Sequence, residues 1–235
     1  MKTFCDDDIK EYMKNDWILE LLQKEEKIEE KNIRTNVWLR EMENKRMIYA
    51  QVYGDILKSE TKRKVLDVGG GYNSLTKILA RNSDYTLVDF LAHGGNEYVK
   101  KTFMDYNIKW IDGDWYDAVP DENYDIIIAN DIFPDVDQRL ELFIEKMLPN
   151  CGELRLVLTY YNTPKFYLTK RTDDTELMTF LSWDGEIMGL KLKKYLDRIE
   201  NTSSAELDDM KSNFSSIYRN GRQVSYIRLL GGRQM

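Results

Sequence analysis

The sequence has few of the residues that build disulfide frameworks, metal clusters or membrane spans. Its 235 residues include two cysteines, Cys5 and Cys151, which form neither a disulfide framework nor a cysteine metal site. No apolar run approaches the length of a transmembrane helix. The start of the chain, with Asp6, Asp7 and Asp8, is unlike a secretory signal. These absences predict a cytoplasmic protein.

Basic residues are fewer than acidic ones. Lysine and arginine number 34 against 41 aspartates and glutamates, which gives a formal net charge of −7. Nucleic-acid binders usually present a basic surface, so we expect no nucleic-acid partner, and we expect no membrane partner either. The hydrophobic content of 42% and the charged content of 32% are typical of a folded, soluble chain. The length suits one α/β domain with a modest appendage.

Glycine is nearly missing from residues 1–60, where Gly54 is the only one. Apolar residues recur there at helical spacing and predict two or three helices ahead of the main domain, residues 61–235. These helices either cover a sheet or form a lid that closes an active site and contacts the substrate. The candidate substrate contacts in this cap are Arg40, Tyr49 and Tyr53.

The stretch from Lys64 to Arg81 combines a strand, a glycine turn and a helix. Val65 to Val68 suit a buried strand, Gly69 to Gly71 follow at once, and an amphipathic run from Ser74 predicts a helix. This geometry lets a backbone approach a ligand closely at a helix N-terminus.

Three interpretations of the glycine turn are open from this stretch alone. The first is a tight turn that needs positive φ and binds nothing. The second is a dinucleotide site, although Ser74 stands where G-x-G-x-x-G has its third glycine. In the third, Asp67 and the glycines match the (D/E)-x-G-x-G loop that binds S-adenosylmethionine (SAM) in class I methyltransferases. An acidic residue and outward carbonyls suit the cationic ammonium of SAM, whereas a pyrophosphate requires bare amides.

The next segments alternate between strands and helices. Tyr85 to Asp89 forms a second strand that ends in an acid twenty residues beyond Gly69. This position suits a carboxylate that accepts the ribose hydroxyls, and the alternative is a capping aspartate. The third, fourth and fifth strands are Ile108 to Ile111, Tyr124 to Asn130 and Glu153 to Tyr161, and a helix through Leu140 to Leu148 precedes the last of them. The rhythm predicts a parallel sheet with right-handed crossovers.

Four segments in this order resemble a class I, Rossmann-like SAM-dependent methyltransferase. They are LDVGGG, TLVD, DGDW and YDIIIANDIF with the later LPNCG, and they cover about residues 64–161. The resemblance implies SAM as cofactor and an α/β fold whose seven-stranded, mostly parallel sheet has an antiparallel last strand. A hairpin of Phe214 to Arg219 and Gln223 to Leu230 around Asn220-Gly221 fits the last two strands.

The sequence departs from the family pattern at two places. Asn73 stands at the third glycine position of the loop. An insertion of about residues 164–183 follows strand five, and its Lys165 to Lys170 and Glu176 to Leu181 predict an extra hairpin. Further on, residues 201–209 are expected to form a polar connection.

The resemblance also implies a set of cofactor-binding residues at the strand ends. An acid after the third strand accepts the adenine amino group in the family, and Asp114 holds that position here. Trp115 then either packs on the adenine or lies in the core. The complete cofactor-binding set is Asp67, Gly69, Gly70, Gly71, Asn73, Asp89, Phe90, Asp114, Trp115 and Asn130.

Methyl transfer requires an aligned acceptor and, for a hydroxyl or ammonium acceptor, a base. The acceptor should approach over the carboxyl ends of strands four and five. Asp131, Asp135, Tyr160 and Tyr161 lie there in sequence, and Tyr160 joins the substrate-binding set. The candidate bases are Asp131 and His93, the single histidine. Strand five ends without the second acid that catechol-type enzymes use for Mg²⁺, so no metal is expected.

The expected function is SAM-dependent transfer of a methyl group to an oxygen, less readily a nitrogen, of a small-molecule or sugar-derived substrate. The sequence faintly resembles methyltransferases of bacterial capsule and surface-polysaccharide gene clusters, which modify sugars or their phosphoramidate decorations. The alternative is a non-catalytic sensor or partner subunit that binds SAM or a nucleotide with the same fold.

Overall fold

The computed structural model describes residues 1–91, 97–170, 177–213 and 215–232. None of the helices in these ranges is long and apolar enough to cross a membrane, and the longest has 15 residues. The helices are α1 Asp6–Tyr12, α2 Trp17–Glu25, α3 Arg34–Glu41, α4 Glu43–Leu57, α5 Thr76–Asn82, α6 Glu97–Asp105, α7 Trp115–Ala118, α8 Leu140–Met147, α9 Gly185–Lys193 and α10 Ser204–Asp209. The strands are β1 Lys2–Thr3, β2 Lys64–Val68, β3 Asp84–Val88, β4 Lys109–Ile111, β5 Tyr124–Asn130, β6 Cys151–Tyr160, β7 Lys165–Lys170, β8 Leu177–Ser182 and β9 Gln223–Leu230.

Seven strands form one mostly parallel sheet in the order β1-β9-β6-β5-β2-β3-β4. β3 pairs in parallel with both β2 and β4. β9, the last strand of the chain, runs antiparallel to β6. The predicted α/β fold class, with a seven-stranded sheet and an antiparallel last strand, is confirmed.

One edge of the sheet differs from the prediction. The C-terminal hairpin was expected to supply two strands, but residues 215–219 form no strand, and β1 pairs with β9 instead. Phe214 lies outside the described residues. The Asn-Gly turn is present, since Gly221 has a φ of 80° and its amide donates to the Tyr218 carbonyl at 3.1 Å. Residues 216–222 form a compact loop instead, in which the Ser216 hydroxyl can donate to the carbonyl of Tyr218 or to that of Arg222.

The cap and the insertion follow the predictions in outline. Four helices, α1 to α4, lie within residues 1–60, where two or three were expected. β7 and β8 pair antiparallel as a separate two-stranded sheet, which confirms the extra hairpin. The turn predicted at Thr172 to Asp174 lies outside the described residues.

The chain divides into two compact units, residues 7–128 and residues 1–6 with 129–235. In the first unit, Val65 and Leu66 of β2 are fully buried. In the second unit, Leu156 and Leu158 of β6 are fully buried. The division of the chain into a cap, 1–60, and a methyltransferase domain, 61–235, stays a prediction.

Candidate functional site

The glycine turn between β2 and α5 is built over a buried carboxylate. Gly69 and Gly71 have φ values of 67° and 64°, a region that strains residues with a side chain. Gly70 is needed for space, because a Cβ there would lie 2.3 Å from a carboxylate oxygen of Asp67. Backbone conformation therefore requires Gly69 and Gly71, and space requires Gly70.

Asp67 lies beneath this turn and is only 2% exposed. Its carboxylate accepts hydrogen bonds from the hydroxyls of Tyr85, at 2.7 Å, and Tyr53, at 3.2 Å. Burial raises the pKa of Asp67 to about 7, although the two tyrosine donors oppose the shift. A cation next to such a group would favour its ionised form. The site is thus suited to an ammonium ligand.

Asn73 connects the glycine turn to α5. It is buried, and its side-chain oxygen accepts from the Leu75 amide at 2.9 Å and from the Tyr49 hydroxyl at 3.3 Å. Its own amide donates to the Thr76 hydroxyl at 3.2 Å. Asn73 therefore stabilises the loop that carries it, and Tyr49 of α4 supports the same loop.

A second buried carboxylate, Glu30, bonds to side chains that follow the glycine turn. Glu30 is fully buried and forms an ion pair with Lys77, which is 1% exposed, at 2.9 Å. It also accepts from the hydroxyls of Ser74, at 2.8 Å, and Tyr72, at 2.5 Å. Burial alone would raise the pKa of Glu30, but the Lys27 amide, Tyr72, Lys77 and Ser74 hold it below the ordinary value. This carboxylate therefore stays ionised in the interior.

Two residues of α3 complete the support of the turn. The Asn36 side chain accepts from the Ser74 amide at 2.8 Å and donates to the Ser74 hydroxyl at 2.9 Å. The Thr35 hydroxyl donates to the Tyr72 carbonyl. The N-terminal helices thus contact the glycine turn through directed, buried hydrogen bonds.

Asp89 follows β3 directly, as the predicted ribose acid should. One carboxylate oxygen accepts from the Gly71 amide at 3.0 Å, and the other accepts from the Leu91 amide. Asp89 therefore ties the glycine turn to the loop after β3. Phe90, in the same loop, is 64% exposed.

The acid after the third predicted strand caps a short helix. Asp114 is the N-cap residue of α7, and its side chain accepts from the Tyr116 amide at 2.9 Å. Trp115 is 4% exposed and meets the Tyr116 ring edge-on at 5.7 Å. This burial fits the core alternative for Trp115, and the adenine role of both residues stays a prediction.

The unit that contains β6 and β9 holds a second group of ionisable residues. Asp131, directly after β5, has a φ of 64°, and its carboxylate pairs with Arg222 at 3.1 Å. The guanidinium of Arg222 lies over the Tyr218 ring at 4.4 Å. Burial lowers the pKa of Arg222, but Asp131 and Tyr218 raise it more strongly, so the side chain stays charged.

Asp135 lies next to this pair and is 6% exposed. Burial raises the pKa of Asp135 to about 6, Arg222 opposes the shift, and Asp131 adds to it. The Thr159 hydroxyl lies close to Asp135 and also favours the ionised form of its carboxyl. A carboxyl with such a pKa is suited to general base work near neutral pH.

The other predicted site residues have different surroundings. Tyr160 is fully buried, and its hydroxyl bonds to Asn213 at 3.1 Å. Arg40 pairs with Glu26 and donates to the Lys31 carbonyl. Asn130 ends β5, half-buried. His93 lies outside the described residues. The catalytic and substrate roles of these residues stay predictions.

Sequence reasoning missed Glu30, Tyr85, Arg222 and Thr159. Glu30 lies in a run of charged residues, and such a run predicts a solvent-exposed face. Tyr85 and Thr159 have the pattern of ordinary strand residues. Arg222 directly follows the Asn220-Gly221 turn. That turn predicts a chain reversal, but it does not predict a role for the arginine. Within the described residues, no three or more histidine, cysteine or acidic side chains are grouped to hold a metal ion.

No protein-family model and no curated protein matches the sequence. The chain is similar to a Burkholderia thailandensis 1,6-didemethyltoxoflavin N1-methyltransferase that holds 1,6-didemethyltoxoflavin and S-adenosylhomocysteine. The TM-score is 0.53 at 11% identity, over 84% of this chain and 81% of that chain. It is also similar to coclaurine N-methyltransferase bound to N-methylheliamine and S-adenosylhomocysteine, with a TM-score of 0.51 at 16% identity, over 98% of this chain and 90% of that chain. The chain therefore has the Rossmann-like fold of class I SAM-dependent methyltransferases.

Proposed function

We propose that the protein is a SAM-dependent methyltransferase that acts on an oxygen, less readily a nitrogen, of a small-molecule or sugar-derived acceptor. The observation that carries the proposal is the buried Asp67 carboxylate beneath three glycines. Burial takes the Asp67 carboxylate out of water and destabilises its charge, and a cationic ligand at this turn would stabilise that charge. Two neighbours of the same fold hold S-adenosylhomocysteine, which supports the same cofactor here.

The residues of the glycine turn fit SAM better than a dinucleotide. Asp67 would hold the methionine ammonium, and Asp89 would accept the ribose hydroxyls. Asp114, Phe90, Trp115 and Asn130 are assigned to the adenine and its surroundings by resemblance. Bound SAM supplies a methyl group already activated for displacement, so the chain has to align the acceptor and exclude water.

We place the acceptor at the carboxyl ends of β5 and β6, where ligands lie in open α/β sheets. Asp131 and His93 remain candidate bases. The ion pair with Arg222 counts against Asp131, because removal of its charge would leave a half-buried guanidinium without its counterion. We assign modification of bacterial surface sugars or their phosphoramidate decorations as the biological setting, on the faint sequence resemblance alone.

Turnover separates this enzyme from a sensor or partner subunit of the same fold. Purified protein should be incubated with methyl-labelled SAM and a panel of sugars and sugar phosphates, and the formation of S-adenosylhomocysteine measured. We expect acceptor-dependent product that falls at least tenfold in Asp89→Ala. Tight SAM binding without transfer to any acceptor, while SAM stays intact, would support the sensor.

A further inference from the structure

Three tyrosines lie around the buried Asp67 carboxylate. Tyr53 of α4 donates to its Oδ1 at 3.2 Å, and Tyr85 of β3 donates to its Oδ2 at 2.7 Å. Tyr49, one turn before Tyr53 on α4, packs against the Tyr53 ring with 4.4 Å between the ring centroids, and its hydroxyl donates to Asn73. Each oxygen of the carboxylate therefore accepts from one neutral hydroxyl, and the two hydroxyls come from two different elements.

In the described part of the chain, no cationic side chain pairs with Asp67. Its hydrogen bonds come from the two tyrosine hydroxyls, and the nearby charge that acts on it is a second carboxylate, Asp89. Burial raises the pKa of Asp67 to about 7, the tyrosine hydroxyls oppose the rise, and the charge of Asp89 adds to it. The carboxyl therefore keeps a proton until near-neutral pH, within the same compact unit, residues 7–128, that contains the glycine turn.

A proton and a cationic ligand compete for the same positions on this carboxylate. A carboxylate offers about four lone-pair sites on its two oxygens, and the tyrosines Tyr53 and Tyr85 use two of them. The remaining sites can hold either an acidic proton or an N–H donor of an ammonium group. Burial without a cation favours the protonated form, whereas an ammonium beside the carboxylate favours the ionised form. Binding of a cation therefore displaces the proton.

We propose that the ammonium of SAM displaces a proton from Asp67 when the cofactor binds, and that Tyr53 and Tyr85 are positioning residues for this exchange. The proton passes to solvent, and no other bond changes. Each tyrosine holds one carboxylate oxygen, so it orients the remaining lone pairs and favours the ionised form that the ammonium requires. The inference deepens the proposed function and rests on it. It also gives α4 a role in cofactor binding, since Tyr53 lies on that helix.

Calorimetric titration with S-adenosylhomocysteine, in buffers of different ionisation enthalpy, counts the protons released on binding. The wild type should release more than about half a proton per ligand at pH 6 and less than about 0.2 at pH 8, and it should bind about tenfold more tightly at pH 8. Asp67→Asn should bind more weakly, release no proton and show no change of affinity over this range. Binding by the wild type without proton release at pH 6, or equal release by Asp67→Asn, would overturn the inference while the proposed function stands.

The pH profile of binding tests the two tyrosines. Tyr53→Phe and Tyr85→Phe each remove one donor, so Asp67 should hold its proton more tightly, and the pH at which the affinity for S-adenosylhomocysteine levels off should move upward. The affinity should therefore fall at pH 6 and approach the wild-type value as the pH rises. Tyr49→Phe is the matched control on the same helix, and its profile should level off at the wild-type pH. A uniform loss of affinity at every pH in both Tyr53→Phe and Tyr85→Phe would show a structural role and overturn the assignment.

Urea unfolding without cofactor separates the inference from the proposed function. Tyr85→Phe should lose more stability at pH 8 than at pH 5, because Asp67 is protonated in the fold at the lower pH and needs the donor less. The effect of Tyr49→Phe should be the same at both pH values. Equal effects of Tyr85→Phe at the two pH values would overturn the inference. If the pH-dependent effect appears but S-adenosylhomocysteine does not bind, the proposed function and the exchange both fail, while the control of the Asp67 proton by Tyr85 is retained.

Discussion

At the scale of the residue, three buried carboxylates differ in what surrounds them. Glu30 has an ammonium partner and a lowered pKa, whereas Asp67 has two neutral tyrosine donors and a pKa of about 7. Asp135 lies near the Arg222 guanidinium and has a pKa of about 6, because burial outweighs that charge. Glu30 also accepts from the Lys27 amide and from Tyr72 and Ser74, so a larger set of donors offsets its burial, whereas two tyrosine hydroxyls offset the burial of Asp67 only in part. Asp67, whose pKa is raised most among the three, is the carboxyl that we assign to the ligand ammonium.

Asp67→Asn should stabilise the ligand-free protein at pH 8. The pKa of Asp67 is about 7 in the fold against an ordinary value of 3.8, so the folded state binds this proton more tightly than the unfolded chain does. The stability of the wild type therefore falls as the pH rises from about 4 to about 7, and the variant lacks this loss. Its advantage should grow through that window, to at most about 4 kcal/mol.

Urea unfolding between pH 4 and pH 8 measures this difference, with the exposed Asp121→Asn as the matched control. The affinity of Asp67→Asn for S-adenosylhomocysteine should fall, because the ligand ammonium loses its carboxylate. A variant less stable than the wild type at pH 8 would contradict the assignment of a raised pKa to Asp67.

At the scale of the element, the N-terminal helices and α5 share one buried network. Glu30→Gln removes the charge that compensates Lys77, and breaking one side of a buried pair typically costs about 3–5 kcal/mol. Glu29→Gln is a control of the same chemistry one residue away, and since Glu29 is exposed it should change stability by less than about 0.5 kcal/mol. Adding Lys77→Met to Glu30→Gln should restore part of the loss. Equal effects of the two glutamine variants would show that the ion pair does not stabilise the fold.

Deletion of residues 1–60 should abolish both folding and binding of S-adenosylhomocysteine. The deletion removes Glu30, Asn36 and Tyr53, whose side chains bond to the glycine turn or to Asp67 beneath it. Circular dichroism and calorimetric titration of the truncated protein measure the two effects. A folded, cofactor-binding truncation that has lost only methyl transfer would instead support the hypothesis of a removable lid.

Local patterns predicted the elements better than the pairings between them. The strands β2 to β6 followed from apolar runs bounded by glycine, proline and asparagine, because burial of a parallel strand imposes that pattern. The hairpin prediction was wrong because an Asn-Gly turn reverses the chain without requiring both arms to pair. α10, predicted as a polar connection, has the capping box of Ser203 and Glu206, a local signal that was present and overlooked.

At the scale of the whole molecule, the fold was predictable from the sequence. The residues that surround and support the candidate site were not. Strand-end acids such as Asp89 and Asp114 could be placed because strands and turns fix their positions along the chain. Glu29 and Glu30 are neighbours of the same type, yet one is exposed and the other fully buried. That difference depends on which distant residues surround each side chain, and no local pattern encodes it. The same reason explains why Arg222 was missed.

The central claim is that the glycine turn over Asp67 binds SAM and its product rather than a dinucleotide. Calorimetric titration of the wild type with S-adenosylhomocysteine and with NAD tests it most directly. We expect S-adenosylhomocysteine to bind, NAD to give no measurable heat, and Asp89→Asn to lose at least tenfold in affinity for S-adenosylhomocysteine, about 1.4 kcal/mol. Tighter binding of NAD than of S-adenosylhomocysteine, or no binding of S-adenosylhomocysteine to the folded protein, would contradict the claim.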